Sequence, residues 1–103
     1  MRELGEQKGD LQGAIKALEK GVEYLPNEGE SLRLLGIAYG QMKDFQKALS
    51  YFQRYQAVNP KEAWAYLYLG NVYKDLGDMG KSQENYAKAY QMNPSLQQQN
   101  GAK

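Results

Sequence analysis

Two stretches of this sequence decide its fold: LRLLGIAYGQMKDFQKALSYFQRYQAVNP at residues 32–60 and YLYLGNVYKDLGDMGKSQENYAKAYQMNP at residues 66–94. When the second is laid on the first at an offset of 34 residues, identical residues meet at several positions. The pairs are Leu35 with Leu69, Gly36 with Gly70, Tyr39 with Tyr73, Asp44 with Asp78, Lys47 with Lys81 and Asn59 with Asn93. The three prolines, Pro26, Pro60 and Pro94, have the same spacing. A repeat of this length predicts stacked units of two helices each.

Apolar residues within each stretch recur at intervals of three and four, which is typical of one face of a helix. Leu32, Leu35, Tyr39 and Met42 form one such series, and Ala48, Phe52 and Tyr55 belong to the next. The pattern predicts helices near residues 1–8, 11–24, 29–42, 45–58, 63–76 and 79–92, and no strands.

Turn signals separate the two helices of each unit. Gly77 can adopt the left-handed conformation that ends a helix, and Asp78 can cap the start of the next helix. Gly9 and Asp10 repeat this pair, so we expect a turn there as well. Lys43 replaces glycine in the middle unit, and a left-handed lysine costs on the order of 1 kcal/mol. The prolines are expected to stop the second helix of each unit, because proline lacks the amide that a continuing helix needs.

The repeated positions resemble the tetratricopeptide repeat. The pattern they form is Leu32-x-x-Leu35-Gly36-x-x-Tyr39, then Ala48-x-x-x-Phe52 and Pro60. The family pattern would have tryptophan at Leu32 and Tyr66, and alanine at Ser82. The resemblance implies an all-α, right-handed α-solenoid of antiparallel helix hairpins with about two and two-thirds repeats. The predicted repeat domain is 1–94, divided into a partial repeat 1–26 and repeats 27–60 and 61–94, and residues 95–103 are expected to form a disordered polar tail.

Composition excludes several function classes. Histidine and cysteine are absent, so thiolate and imidazole catalysis and thiolate metal sites are excluded, and we expect neither an enzyme nor a cofactor. The 13 basic residues nearly balance the 12 acidic ones, which argues against a nucleic-acid partner. No apolar stretch approaches the length of a membrane span. The sequence therefore predicts a non-catalytic protein without membrane insertion, with a cytoplasmic location as the default.

The resemblance also implies a concave groove, lined by the first helices of successive hairpins, where a peptide or helix of another protein would bind. The partner-binding residues carried over by position are Arg33, Ile37, Gln41, Trp64, Leu67, Tyr68, Asn71 and Lys74, with Glu3, Glu6 and Gln7 from the first unit. Trp64, Tyr68 and Asn71 are spaced by about one helical turn, so they share a face. Two interpretations of Trp64 stay open: contact with a partner, or packing on the preceding hairpin.

One branch of the family binds the acidic C-termini of chaperones through a clamp of lysine, asparagine and arginine. The matching positions here are Glu3, Leu34, Trp64 and Tyr68. Because the clamp residues are absent, chaperone-tail recognition of that kind is not expected.

The ends of the predicted stack have no evident cap, and a repeat array needs one. Two function hypotheses follow. The first is an adaptor that binds a partner protein in its groove. The second is a structural module that completes its solenoid with flanking repeats or with copies of itself, as a homo-oligomer, through Tyr86, Tyr90 and Met92.

Overall fold

The computed structural model describes the backbone of residues 2–101 and the side chains of residues 10–97. Within that range the regular structure is entirely helical, as predicted. The helices are α1 (Arg2–Tyr24), α2 (Gly29–Gln41), α3 (Phe45–Val58), α4 (Ala63–Asp75), α5 (Met79–Met92) and α6 (Pro94–Gly101). None of the described helices is long and apolar enough to cross a membrane.

The helices pack in chain order. The main contacts join each helix to the next along the sequence, and the tightest pairs are the hairpins α2–α3 and α4–α5. Each helix therefore buries its apolar face mainly against its sequence neighbours, which is the arrangement of a repeat array. The fold class predicted from the 34-residue period is confirmed.

Glycine allows the two helices of each hairpin to approach closely. A Cβ on Gly36 would lie 2.5–2.7 Å from ring atoms of Phe52, and one on Gly70 would lie 2.7–3.1 Å from the ring of Tyr86. Distances below 3 Å are steric overlaps, so the two positions require glycine. In both hairpins a glycine meets an aromatic ring, which explains why these two residue types recur with the period.

The turns inside the hairpins have the predicted geometry. Lys43 and Gly77 are left-handed, with φ of 65° and 88°. The next amides, of Asp44 and Asp78, each donate to a carbonyl five residues back at 2.9 Å, which defines the Schellman motif. The Asp44 and Asp78 carboxylates then cap α3 and α5.

The core follows the stack as three adjoining clusters. The first joins α1, α2 and α3 around Ile15, Val22, Leu32 and Leu35. The second joins the two hairpins, with Ala48, Phe52, Leu69 and Val72 at its centre. The third contains Leu67, Ala89 and Leu96 and joins α4 to α5 and α6.

The predicted turn at Gly9 and Asp10 is absent, because α1 continues without a break through both residues. Residues 2–8 include one large apolar residue, Leu4, so folding them back as a separate helix would bury little apolar surface. Continuing the helix instead satisfies the backbone amides within α1. As a result Ala14 is exposed, whereas Ala48 and Ser82 at the matching positions are 0% exposed.

The expected disordered tail is also corrected, for residues 95–101. Asn93 accepts hydrogen bonds from the Ser95 amide (3.2 Å) and hydroxyl (2.7 Å), and Pro94 occupies the first position of α6. Leu96 is only 3% exposed and packs against Leu67 and Ala89. The remaining two residues of the predicted tail lie outside the described range. Thus α6 covers part of the last hairpin.

Candidate partner-binding site

A pocket of about 280 Å³ opens between α2 and α4. Its lining consists of Arg33 from α2, Tyr55 from α3, and Glu62, Trp64 and Tyr68 from the beginning of α4. The first helices of two successive hairpins thus contribute the walls, and the second helix of the first hairpin contributes Tyr55. We call these five residues the aromatic pocket.

Tyr68 is the ring around which the aromatic pocket is built. It stacks on Phe52 with a centroid separation of 4.9 Å and an interplanar angle of 3°. Tyr55 and Trp64 are inclined to it by 58° and 39°, with centroids at 6.2 and 5.9 Å. Since Phe52 and Tyr55 are buried, they hold Tyr68 in place, while Trp64 remains 39% exposed. The result is a fixed ring beside an accessible indole.

Arg33 supplies the positive charge of the aromatic pocket. The neighbouring Tyr68 hydroxyl is the main cause that raises the pKa of the Arg33 guanidinium above its ordinary value. The guanidinium also lies 3.7 Å from the carboxylate of Glu30, one turn back on α2. Arg33 is therefore oriented by two partners from its own chain.

Glu62 supplies a negative charge at the N-cap of α4, where its carboxylate makes no capping hydrogen bond. Glu28 occupies the matching position before α2, and it accepts from the Ser31 amide (2.9 Å) and hydroxyl. These bonds lower the pKa of Glu28. The residue matching Ser31 is Ala65, which has no hydroxyl. Glu62 therefore lines the pocket with a carboxylate that makes no hydrogen bond at the helix end.

Both charged residues of the aromatic pocket, Arg33 and Glu62, affect the pKa of Tyr55. Burial is the main cause that raises the pKa of the Tyr55 hydroxyl above its ordinary value, and the Glu62 carboxylate raises it further. The Arg33 guanidinium opposes this shift. The phenol stays neutral at physiological pH, so the formal charges of the aromatic pocket are those of Arg33 and Glu62.

Three of the eight predicted groove residues, Arg33, Trp64 and Tyr68, come together in the aromatic pocket. Leu67 differs from its prediction, because it is 6% exposed and belongs to the third core cluster. Ile37 is half-buried against the second cluster.

The other predicted groove residues lie apart from the aromatic pocket. Gln41 and Lys74 are exposed, and Asn71 is exposed on α4, where it accepts a hydrogen bond from the hydroxyl of Tyr86. The Glu3, Glu6 and Gln7 side chains fall outside the described range.

The residues predicted for self-association differ in exposure. Tyr86 and Tyr90 stack with centroids 6.0 Å apart and are half-buried, and both pack against the third core cluster under α6. Met92 is 41% exposed. Their role in self-association stays a prediction.

Sequence reasoning missed Tyr55 and Glu62. Tyr55 lies on a second helix, in the apolar series with Ala48 and Phe52, and its burial agrees with a packing role. Glu62 had a detectable signal, because it matches Glu28 at the repeat offset while Ala65 replaces the serine that would engage it.

No group of acidic residues in the described part of the chain has the arrangement of a metal site. The aromatic pocket offers ring faces, one cation and one anion, which are groups that protein-binding surfaces use.

Comparison with protein families agrees with this architecture. Two models described as tetratricopeptide repeat match residues 7–68 and 65–96. The first alone covers more than half of the chain, so the chain belongs to the tetratricopeptide repeat family.

Similar proteins share the repeat but are longer. Protein CTR9 homolog of Arabidopsis thaliana is 34% identical over 64 residues, which is 62% of this chain and 6% of the relative. The solved structure of MamA AMB-1 superposes with a TM-score of 0.78 at 21% identity, covering 84% of this chain and 51% of MamA. The first repeat domain of Spaghetti (RPAP3), bound to the HSP90 peptide SRMEEVD, superposes with a TM-score of 0.79 at 23% identity. The match covers 85% of this chain and 70% of the RPAP3 chain. At these identities the structures show the fold alone. This chain spans a small part of the curated relative and about half of MamA.

Proposed function

We propose that this protein is a non-catalytic interaction module that binds a peptide or helix of a partner protein in its concave groove, at the aromatic pocket. Tetratricopeptide repeats are protein-interaction modules, and the RPAP3 domain with a similar fold binds a peptide. The observation that supports this location is the pocket itself, with Trp64 exposed beside a fixed Tyr68. A cytoplasmic location and the absence of a nucleic-acid partner stay predictions.

A peptide-display selection tests the proposal. A random peptide library is selected on the wild-type protein, and the enriched peptides are measured against Trp64→Ala and Tyr24→Ala. Tyr24 is the matched control, since it is an aromatic residue 83% exposed at the end of α1. Exposed aromatic anchors typically contribute at least about 2 kcal/mol, so we expect about a 30-fold loss with Trp64→Ala and none with Tyr24→Ala. Enriched peptides that bind Trp64→Ala as well as wild type, or no enrichment, would contradict the proposal.

The second candidate function is assembly with another helical hairpin, from flanking repeats or a second copy. Exposure of Ala14 favours it, because the matching Ala48 and Ser82 are fully buried against a first helix. Light scattering over a range of concentrations tests self-assembly. We expect the mass to rise with concentration in the wild type and in Gln12→Glu, and to stay that of a monomer in Ala14→Glu. A wild type that is monomeric throughout would contradict self-assembly.

A further inference from the structure

Four tyrosine rings of this protein have a basic side chain of the same chain over their faces. Lys47 covers Tyr39 at 5.2 Å, Arg54 covers Tyr51 at 5.5 Å, and Lys81 and Lys88 cover Tyr73 and Tyr66, each at 5.6 Å. The attraction is electrostatic, because the face of an aromatic ring is negative. Intramolecular cations thus cover several of the rings that reach the surface.

Trp64 differs from those tyrosines. Among the residues with described side chains, no lysine or arginine lies over the indole, although indole is the ring that attracts cations most strongly. Part of the Trp64 side chain is accessible, since it is 39% exposed and lines the aromatic pocket.

Glu62 places a carboxylate on the same pocket, two residues before Trp64. Helix capping does not use this carboxylate, in contrast to the matching Glu28. An anion beside an aromatic face is the combination that binds an ammonium or guanidinium group.

The positive charge of Arg33 would oppose the binding of a cationic group in the pocket. Its guanidinium is paired with the Glu30 carboxylate at 3.7 Å. Glu30, which lies outside the pocket lining, thus offsets the charge of Arg33, and the Glu62 carboxylate is the charge of the aromatic pocket that has no ion-pair partner among the described residues. Charge complementarity favours a positive ligand.

We propose that the aromatic pocket binds an arginine or lysine side chain of the partner segment, with the cation over the Trp64 ring and against the Glu62 carboxylate. This proposal rests on the proposed function and specifies the anchor residue of the bound peptide. It also separates this module from binders of acidic tails, because Glu62 would repel a run of carboxylates.

The direct test uses N-acetyl-argininamide as the probe and its neutral isostere N-acetyl-citrullinamide as the control. Trp64 is the only tryptophan of the chain, so the indole N–H gives one assigned NMR signal. We expect argininamide to shift this signal saturably at concentrations of roughly 10 mM, since one cation–π contact and one exposed ion pair support only weak binding. Citrullinamide should shift it far less.

Glu62→Gln isolates the carboxylate, with Glu84→Gln as the matched control on the exposed side of α5. Loss of one exposed ion pair should weaken argininamide binding about three- to fivefold in Glu62→Gln and leave it unchanged in Glu84→Gln. An indole signal that argininamide does not move, equal shifts with citrullinamide, or equal affinity in Glu62→Gln would each overturn the proposal.

The peptide selection distinguishes this proposal from the proposed function. Trp64-dependent peptides in which arginine or lysine is enriched at one position support both. Trp64-dependent peptides enriched in aspartate or glutamate overturn the basic anchor and leave groove binding intact. A selection without Trp64-dependent peptides contradicts the proposed function, and the argininamide titration then decides the ligand preference of the pocket independently.

Discussion

At the scale of single residues, the two hairpin turns differ in one position that carries a measurable cost. Lys43 and Gly77 both adopt positive φ in otherwise equivalent Schellman motifs. A residue with a Cβ loses about 1–2 kcal/mol in this conformation. Glycine avoids that cost, but its larger loss of backbone entropy on folding offsets part of the advantage. The middle turn therefore contains removable strain.

We predict that Lys43→Gly stabilises the protein by about 0.5–1 kcal/mol, because it removes the left-handed strain while the turn hydrogen bonds remain. Urea unfolding followed by circular dichroism measures the shift in midpoint. Gly77→Lys is the reciprocal control and should destabilise by a similar amount. A midpoint that falls in Lys43→Gly would show that the lysine side chain contributes more than its backbone conformation costs.

Glu62 shows which features of the site can be predicted by comparing repeat positions in the sequence and which cannot. The repeat offset pairs it with Glu28, and the replacement of Ser31 by Ala65 is visible in the sequence. That comparison predicts a carboxylate without its capping partner. Its position in one pocket with Tyr55 and Arg33 depends on how the two hairpins stack, which no spacing within one helix reveals.

At the scale of elements, α1 is joined to the first hairpin by Glu19. The hydroxyl of Tyr39 on α2 donates to the Glu19 carboxylate, and that of Tyr51 on α3 donates to the same oxygen at 3.4 Å. The bond to Glu19 is the main cause that raises the pKa of Tyr39 well above its ordinary value, and burial raises that of Tyr51. One carboxylate thus connects three helices.

The stability of this junction should fall in alkaline solution. Because the folded state holds the Tyr39 proton more tightly than the unfolded state, the contribution is complete below about pH 10 and decreases as the pH rises above it. We predict that Tyr39→Phe is less stable than wild type by about 1 kcal/mol at pH 8 and that this gap closes above pH 10. Urea midpoints at several pH values measure it.

Tyr24→Phe is the control for that titration, since Tyr24 is largely exposed. Its midpoint should follow that of the wild type at every pH. A Tyr39→Phe gap that stays constant from pH 8 to about 11 would show that the Glu19 bond does not govern the alkaline loss.

The last helix offers a second prediction at this scale. Leu96 is 3% exposed between α4 and α5, so Leu96→Ala should destabilise the protein by about 2 kcal/mol through lost apolar contact and a residual cavity. Gln97→Ala, on the exposed side of α6, should have little effect. Urea unfolding measures both. Equal stability of the two variants would mean that α6 does not contribute to the core.

The sequence predicted helices α2 to α5 well and the helices at the two ends poorly. The difference lies in how far apolar packing supports the local sequence signals. In α2 to α5 the apolar spacing and the glycine contacts agree with the same hairpins, and the side chains of Glu28, Asp44 and Asp78 cap three of the four helices. At the start, Gly9 and Asp10 copy the turn signal, but residues 2–8 lack the apolar face that makes the turn favourable. At the end, a single leucine in a polar segment is decisive, and its burial depends on the surface of α4 and α5.

At the scale of the whole molecule, contacts between neighbours dominate. The principal interfaces join consecutive helices, and the first and third core clusters contain no buried residue in common. In such an array the stability is approximately a sum of units and of interfaces between them. Substitutions at opposite ends should therefore have additive effects on the free energy of unfolding, while substitutions within one cluster should not.

A double-mutant cycle tests this independence. Ile15→Val in the first cluster and Leu96→Ala in the third should add within about 0.5 kcal/mol, because the sites share no partner among their clusters. Leu67→Ala with Leu96→Ala is the matched coupled pair, since both side chains belong to the third cluster, and its interaction energy should exceed about 0.5 kcal/mol. Urea unfolding gives all the free energies, with an equal m-value across variants as the requirement for combining them. Strong coupling between Ile15 and Leu96 would indicate that the array unfolds through a rearrangement shared by both ends, and would contradict a nearest-neighbour solenoid.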